Sequence, residues 1–117
     1  MTNEEIIEAE RLITSIKSDL AIVAGGATNA EERANLVLEK VPDILVSLAQ
    51  LAEILESAED YSRIQDGMSI LLALAEMAQR RPEYHEMLAR AIMMLRIGCG
   101  LDKVAQNLCA VKLQQSA

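Results

Sequence analysis

The chain has 117 residues, a formal net charge of −7 at pH 7 and 51% hydrophobic residues, of which only Tyr61 and Tyr84 are aromatic. This length fits one domain, so we expect a single helical domain spanning residues 1–117. The apolar content excludes a disordered chain, and the longest charge-free run, residues 20–30, is too short to cross a bilayer. One small aliphatic core does not readily hide this much apolar side chain, which predicts a protein partner or a homodimer.

The predicted location follows from the charged and sulfur-containing residues. Glu4 and Glu5 stand where a signal peptide carries positive charge, and Cys99 and Cys109 are too few for a disulfide framework. We therefore expect a reduced, cytoplasmic protein.

Apolar residues recur at alternating spacings of three and four, the period of an α-helix. The pattern predicts an all-α fold, a small antiparallel bundle of about five helices. The first helix begins at a capping box formed by Thr2 and Glu5 and ends at Gly25-Gly26, where glycine permits a left-handed terminator and a hinge. Its apolar stripe consists of Ile6, Ala9, Ile13, Ile16, Leu20 and Val23.

Residues 1–24 are an amphipathic helix that precedes the predicted hinge at Gly25 and Gly26. Such a helix either packs on its own domain or reaches across as an arm to a partner or a second copy. Five residues of its stripe are therefore candidates for a partner or dimer interface: Ile6, Ile13, Ile16, Leu20 and Val23.

The second helix has two possible starts, Thr28 and Asn29, each three residues before a glutamate. Its apolar stripe keeps phase through Pro42, although a proline inside a helix removes one hydrogen bond and clashes with a preceding carbonyl. We expect either one helix kinked at Pro42 or two collinear pieces. The stripe comprises Ala30, Ala34, Val37, Val41, Ile44, Leu48, Leu51 and Leu55.

The third helix is predicted to open at residues 60–62, with Ser62 and Gln65 as a capping box. Between residues 68 and 78 it is apolar almost all round, which is typical of a central helix. Its stripe comprises Tyr61, Ile64, Met68, Leu71, Ala75 and Ala78.

Two more helices complete the predicted bundle core, residues 28–112. The fourth starts at Pro82, which suits a first helical turn. The fifth follows a break at Gly98-Cys99-Gly100, and residues 113–117 form a polar tail.

Charge is distributed unevenly along the chain. Residues 1–60 carry 13 acids and 4 bases, whereas residues 61–117 carry 5 acids and 7 bases. Nucleic-acid binding needs a basic stripe, so we expect no direct contact with nucleic acid. Either the acids keep an apolar protein in solution or they dock on a basic surface, including one that a regulator offers to DNA or RNA. The predicted acidic docking face consists of Glu53, Glu56, Glu59 and Asp60.

Catalytic and metal-binding patterns are weak. His85 is the sole histidine, and its spacing from the two cysteines suggests no nucleophilic pair. Glutamates at positions 53, 56 and 59 rotate around a helix and do not converge on one ion, and the Glu-x-x-His pattern of di-metal bundles is missing. We expect no enzymatic activity, no metal and no cofactor.

Apart from Met1, the methionines cluster in the predicted third and fourth helices, where Met87 and Met94 lie seven residues apart on one face. Methionine suits adaptable binding grooves, so Met87 and Met94 are further candidates for a partner or dimer interface; methionine also fills ordinary cores, and that interpretation stays open.

The sequence favours a non-enzymatic protein-interaction module, a small acidic adaptor or inhibitor of antiactivator-like or chaperone-like type, which binds a partner protein through amphipathic helix faces. The alternative is a helical bundle that holds a small ligand between its helices and acts as a sponge or sensor.

Overall fold

The computed structural model describes residues 1–25, 29–80 and 97–116. These residues form four helices: α1 spans Asn3–Gly25, α2 Ala30–Ile54, α3 Ala58–Arg80 and α4 Gly98–Ser116. The described ranges contain no strand, which confirms the all-α prediction for this part of the chain. The helix predicted to start at Pro82 lies outside the described residues.

The four helices pack in a ring, because α1 contacts α2 and α4 while α3 contacts the same two helices. Ion pairs fix the direction of α4 against α1. Lys17 pairs with Asp102, and Glu10 pairs with Lys112, so residue numbers fall along α1 as they rise along α4. α1 and α4 are therefore antiparallel.

One apolar cluster fills the centre of the ring and draws residues from all four helices. The stripe predicted for α1 is confirmed, since each of its six members is at most 5% exposed, and Leu12 joins it as a residue that the prediction missed. From α2 the core takes Val37, Val41, Ile44, Leu48 and Leu51. From α3 it takes Ile64, Leu71 and Leu74, and from α4 and the residue before it Ile97, Leu101, Val104 and Leu108.

The predicted caps of the first two helices are present. The Glu5 N–H donates to the Thr2 hydroxyl over 3.1 Å, and the Thr2 N–H donates to the Glu5 carboxylate over 2.9 Å. Asn29 caps α2 by accepting from the Glu32 N–H over 2.9 Å. At the other end of α1, Gly25 is still helical and no described residue has a positive φ, so the left-handed terminator is not at Gly25.

The predicted start of α3 is wrong. The helix begins at Ala58, and Ser57 caps it by accepting from the Asp60 N–H over 3.4 Å. The backbone is already extended at Leu55, so the turn between α2 and α3 has only three residues and Ser57 is the hydroxyl in position to cap. Ser62 therefore lies inside the helix and is not a cap.

The buried face of α3 is also rotated from the predicted stripe. Tyr61 is 47% exposed, whereas Asp60 is buried and Gly67 joins Ile64 on the inner face. A Cβ built at Gly67 would stand 3.9 Å from the side chain of Ile97, the residue before α4, which is an ordinary van der Waals distance. The flank with Asp60 and Gly67 therefore faces α4.

Two further boundaries differ from the prediction. Residues 98–100 form the first turn of α4 instead of a break, because a glycine costs only about 1 kcal/mol in a helix relative to alanine. Residues 113–116, predicted as a polar tail, are helical. A single helix runs through Pro42, while the bend at that residue stays a prediction.

The α1 cap makes a pH-dependent contribution to stability. The hydrogen bond from the Thr2 N–H holds the pKa of Glu5 below its ordinary value of 4.5. Because the folded pKa is the lower one, this stabilisation is complete above pH 4.5 and is lost as the pH falls through the folded pKa. We expect Glu5→Gln to lose less stability than the wild type between about pH 6 and pH 3, measured as urea midpoints. Parallel pH profiles would contradict this contribution.

Candidate protein interaction surface

The residues predicted on α1 as a partner or dimer interface belong to the core of the single chain. Ile6, Ile13, Ile16, Leu20 and Val23 share one face, and each is at most 5% exposed. That face is covered by α2 and α4, so α1 packs on its own domain. Contact with another protein through these residues would require α1 to leave the bundle. Of the predicted hinge, Gly25 is helical and Gly26 lies outside the described residues.

The structure does not test the predicted methionine groove. Met87 and Met94 lie outside the described ranges, and so does His85. On α3, which corresponds to the predicted third helix, Met68 is partly buried and packs against the core.

The acidic face predicted near the turn between α2 and α3 is only partly available. Glu53, Glu56 and Glu59 are exposed, but two of these carboxylates are already paired. Glu56 lies 2.9 Å from the Met1 amino group, and this hydrogen bond raises the pKa of the amine. Glu59 lies 2.6 Å from the Arg63 guanidinium.

Asp60, the fourth predicted member of that face, is not on the surface. It is 3% exposed, and its Oδ1 accepts from Arg63 Nη1 and from Asn107 Nδ2, each over 2.8 Å. A buried carboxylate needs such donors to offset the loss of water, and here one donor comes from α3 and the other from α4. Asp60 therefore connects α3 with α4 and does not belong to the exposed acidic face.

The outward face of α2 carries a more accessible acidic surface. Five exposed residues at spacings of four, three, four and three form this surface, here termed the α2 strip: Glu39, Asp43, Val46, Gln50 and Glu53. Val46 is 58% exposed at its middle, and Pro42 is exposed beside it. At 1.5 Å per residue the strip is about 21 Å long.

The carboxylates of the α2 strip carry charge that no described residue pairs with. Among the described residues, none forms a hydrogen bond or an ion pair with the side chains of Glu39, Asp43 or Glu53. The nearest base in sequence, Lys40, is partly buried and one helical position away from the strip. The strip therefore combines free negative charge with an exposed apolar centre.

The sequence prediction missed Glu39, Asp43 and Val46. Their signal is present in the sequence, because they recur at the helical period directly opposite the buried stripe of α2. Tracking the polar face of α2 with the same period as the apolar face would have found them.

No protein-family model, curated protein or solved structure matches this chain. The functional proposal therefore depends on surface chemistry alone. The described residues hold no group of three or more His, Cys, Asp or Glu side chains able to bind a metal ion. Both Cys99 and Cys109 are exposed free thiols. Within the described ranges, no helix combines the length and apolarity that crossing a bilayer requires.

A cleft of about 340 Å³ opens at the end of the bundle where the turn between α2 and α3 meets α4. We term it the terminal cleft. Its lining residues are Met1, Leu55, Glu56, Ser57, Asp60, Asn107, Leu108 and Val111.

Proposed function

We propose that this chain is a non-enzymatic protein-interaction module, an acidic helical adaptor or inhibitor of antiactivator or chaperone type. The observation that carries the proposal is the α2 strip, in which three carboxylates without a partner among the described residues flank an exposed valine. We further propose that the module works in the cytoplasm, as a homodimer.

The chemistry of the α2 strip selects a basic partner. Carboxylates at both ends of the strip attract lysine and arginine, while Val46 offers an apolar contact between them. A basic amphipathic helix presents this combination, with an apolar residue flanked by positive charge. A regulator that contacts nucleic acid through such a helix is a suitable partner, and the strip would compete for its basic face.

Charge also affects how fast the partner arrives. The net charge of −7 produces a long-range attraction for a basic protein, which raises the association rate at low ionic strength. Exposed charges are screened over about 8 Å at physiological salt, so the affinity should fall as salt is added.

The experiment is affinity capture from a lysate of the source organism with quantitative mass spectrometry. The test variant reverses the charge of the strip, as Glu39→Lys, Asp43→Lys and Glu53→Lys together. We expect it to lose a basic protein that the wild type enriches, because attraction at three sites becomes repulsion.

A matched control makes the same change in net charge away from the strip. Glu4, Asp19 and Asp66 also lack a hydrogen-bonding or ion-pair partner through their side chains among the described residues, so their triple lysine variant alters charge without breaking a contact. This control should retain the captured protein. Capture of the same proteins by all three baits would refute the proposal.

A further inference from the structure

We propose that the terminal cleft accepts one lysine or arginine side chain of the basic partner, with Asp60 as its counter-ion. The identity of the partner rests on the proposed function, whereas the preference of the cleft for a cation rests on the cleft itself.

The cleft combines apolar walls with a buried carboxylate. Leu55, Leu108 and Val111 line it with aliphatic surface, and the Asp60 side chain, only 5% exposed, belongs to the same lining. Long cationic side chains suit such a site, since their methylene stems lie along apolar surface while the charged head reaches a polar group.

The hydrogen bonding of Asp60 is one-sided. Oδ1 accepts both side-chain hydrogen bonds, from Arg63 and Asn107, while Oδ2 accepts none from the described residues. An ionised carboxylate has about four acceptor sites on its two oxygens, and a buried charge is costly when they stay empty. A cationic donor entering the cleft would supply the missing hydrogen bond.

The charges around the cleft favour a cation over an anion. Glu56, Glu59 and Asp60 carry three negative charges, whereas Arg63 and the Met1 amino group carry two positive ones. The local balance is therefore negative. The chain's own ammonium group already binds at the rim, 2.9 Å from Glu56, so the geometry of this end is suited to an amine.

The cleft is close to the α2 strip along the chain. Glu53, the last carboxylate of the strip, precedes Glu56 on the cleft rim by three residues. A basic segment lying along α2 would therefore reach the cleft with its next positive side chain. A buried cation at the end of such an interface resembles the arginine anchors that contribute most to binding at protein interfaces.

The test is an NMR titration of the full chain with ethylguanidinium chloride and n-butylammonium chloride, which mimic the two side chains. We expect saturable shifts of the Asn107 side-chain amide and the Leu108 backbone amide, with millimolar dissociation constants. Sodium chloride at equal ionic strength and n-butanol should not reproduce them. Shifts that rise linearly without saturation would overturn the proposal.

Two variants test the site. Asp60→Asn keeps an oxygen for Asn107 but removes the charge, and should weaken probe binding by at least about tenfold. Val111→Phe leaves the carboxylate intact and fills the cleft from a partly exposed position, so it should weaken binding even if Asp60→Asn fails to fold. Unchanged probe binding in Val111→Phe, or in a folded Asp60→Asn protein, would overturn the proposal.

The two proposals fail in distinguishable ways. The triple lysine variant of the α2 strip should still bind the small cations while it loses the captured protein. Probe binding without any effect of the strip on capture would refute the proposed function alone. Loss of capture by the strip variant without probe binding to the wild type would refute the cation site alone.

Discussion

Replacing Ile16 by aspartate should abolish cooperative folding of the entire chain. Ile16 is 0% exposed on the inner face of α1, where a carboxylate would have neither water nor a cationic partner. The cost of burying such a charge is comparable with the whole stability of a small domain, about 5–15 kcal/mol. Thermal unfolding followed by circular dichroism at 222 nm should show no cooperative transition.

Ile7→Asp is the matched control for this substitution. Ile7 lies on the same helix but is 64% exposed, so the carboxylate would remain in water and the stability should change by less than about 0.5 kcal/mol. Comparison of these two variants also tests whether the fold needs α1. A wild-type transition in Ile16→Asp would mean that α1 is dispensable for the fold, as an arm would be.

Truncating Leu48 to alanine should cost about 2–5 kcal/mol, because it removes a buried side chain and leaves a cavity. Leu48 is 1% exposed in the central cluster. Urea denaturation should show a lower midpoint with an unchanged slope, which is the signature of lost stability without a change in the surface exposed on unfolding.

Val46→Ala separates binding from stability on the same helix. Val46 is 58% exposed, so its truncation should change the free energy of unfolding by less than about 1 kcal/mol. It should nevertheless weaken binding of the captured partner, measured by calorimetry with purified protein. Equal destabilisation by the two truncations would show that α2 does not present these faces as described.

Much of the local structure follows from the sequence. The apolar period identifies the buried faces of α1 and α2, and local side-chain chemistry at Thr2, Glu5 and Asn29 identifies where those helices begin. These features depend on residues within one or two turns of each other, so a sequence pattern contains the information needed.

The orientation of α3 depends on distant residues. Both flanks of its apolar face, one with Tyr61 and the other with Asp60, are compatible with the helical period. Asp60 is turned inward by Arg63 and by Asn107, which is 47 residues away along the chain. An aspartate beside a tyrosine predicts the opposite orientation unless this partner is known.

The interaction surface likewise depends on contacts between residues that are distant in the sequence. An amphipathic α1 has one stripe whether it packs on its own domain or on another copy, and only its contacts with α2 and α4 decide. The acids pose a similar problem. Glu56 pairs with the amino group of Met1, which is far away along the chain, while Glu39 pairs with no described residue. Separating free from compensated charge requires the fold.

Closure of the ring between α1 and α4 has a consequence for how the protein folds. Contacts of α1 with α2 and of α2 with α3 join sequence neighbours, which favours rapid folding. The α1 and α4 seam instead joins Lys17 to Asp102, 85 residues apart, and Met1 to Gln115, 114 residues apart. Because loop-closure entropy grows with chain separation, we infer that this seam forms last and opens first, so that amide hydrogens along α4 exchange before those at the centre of α2.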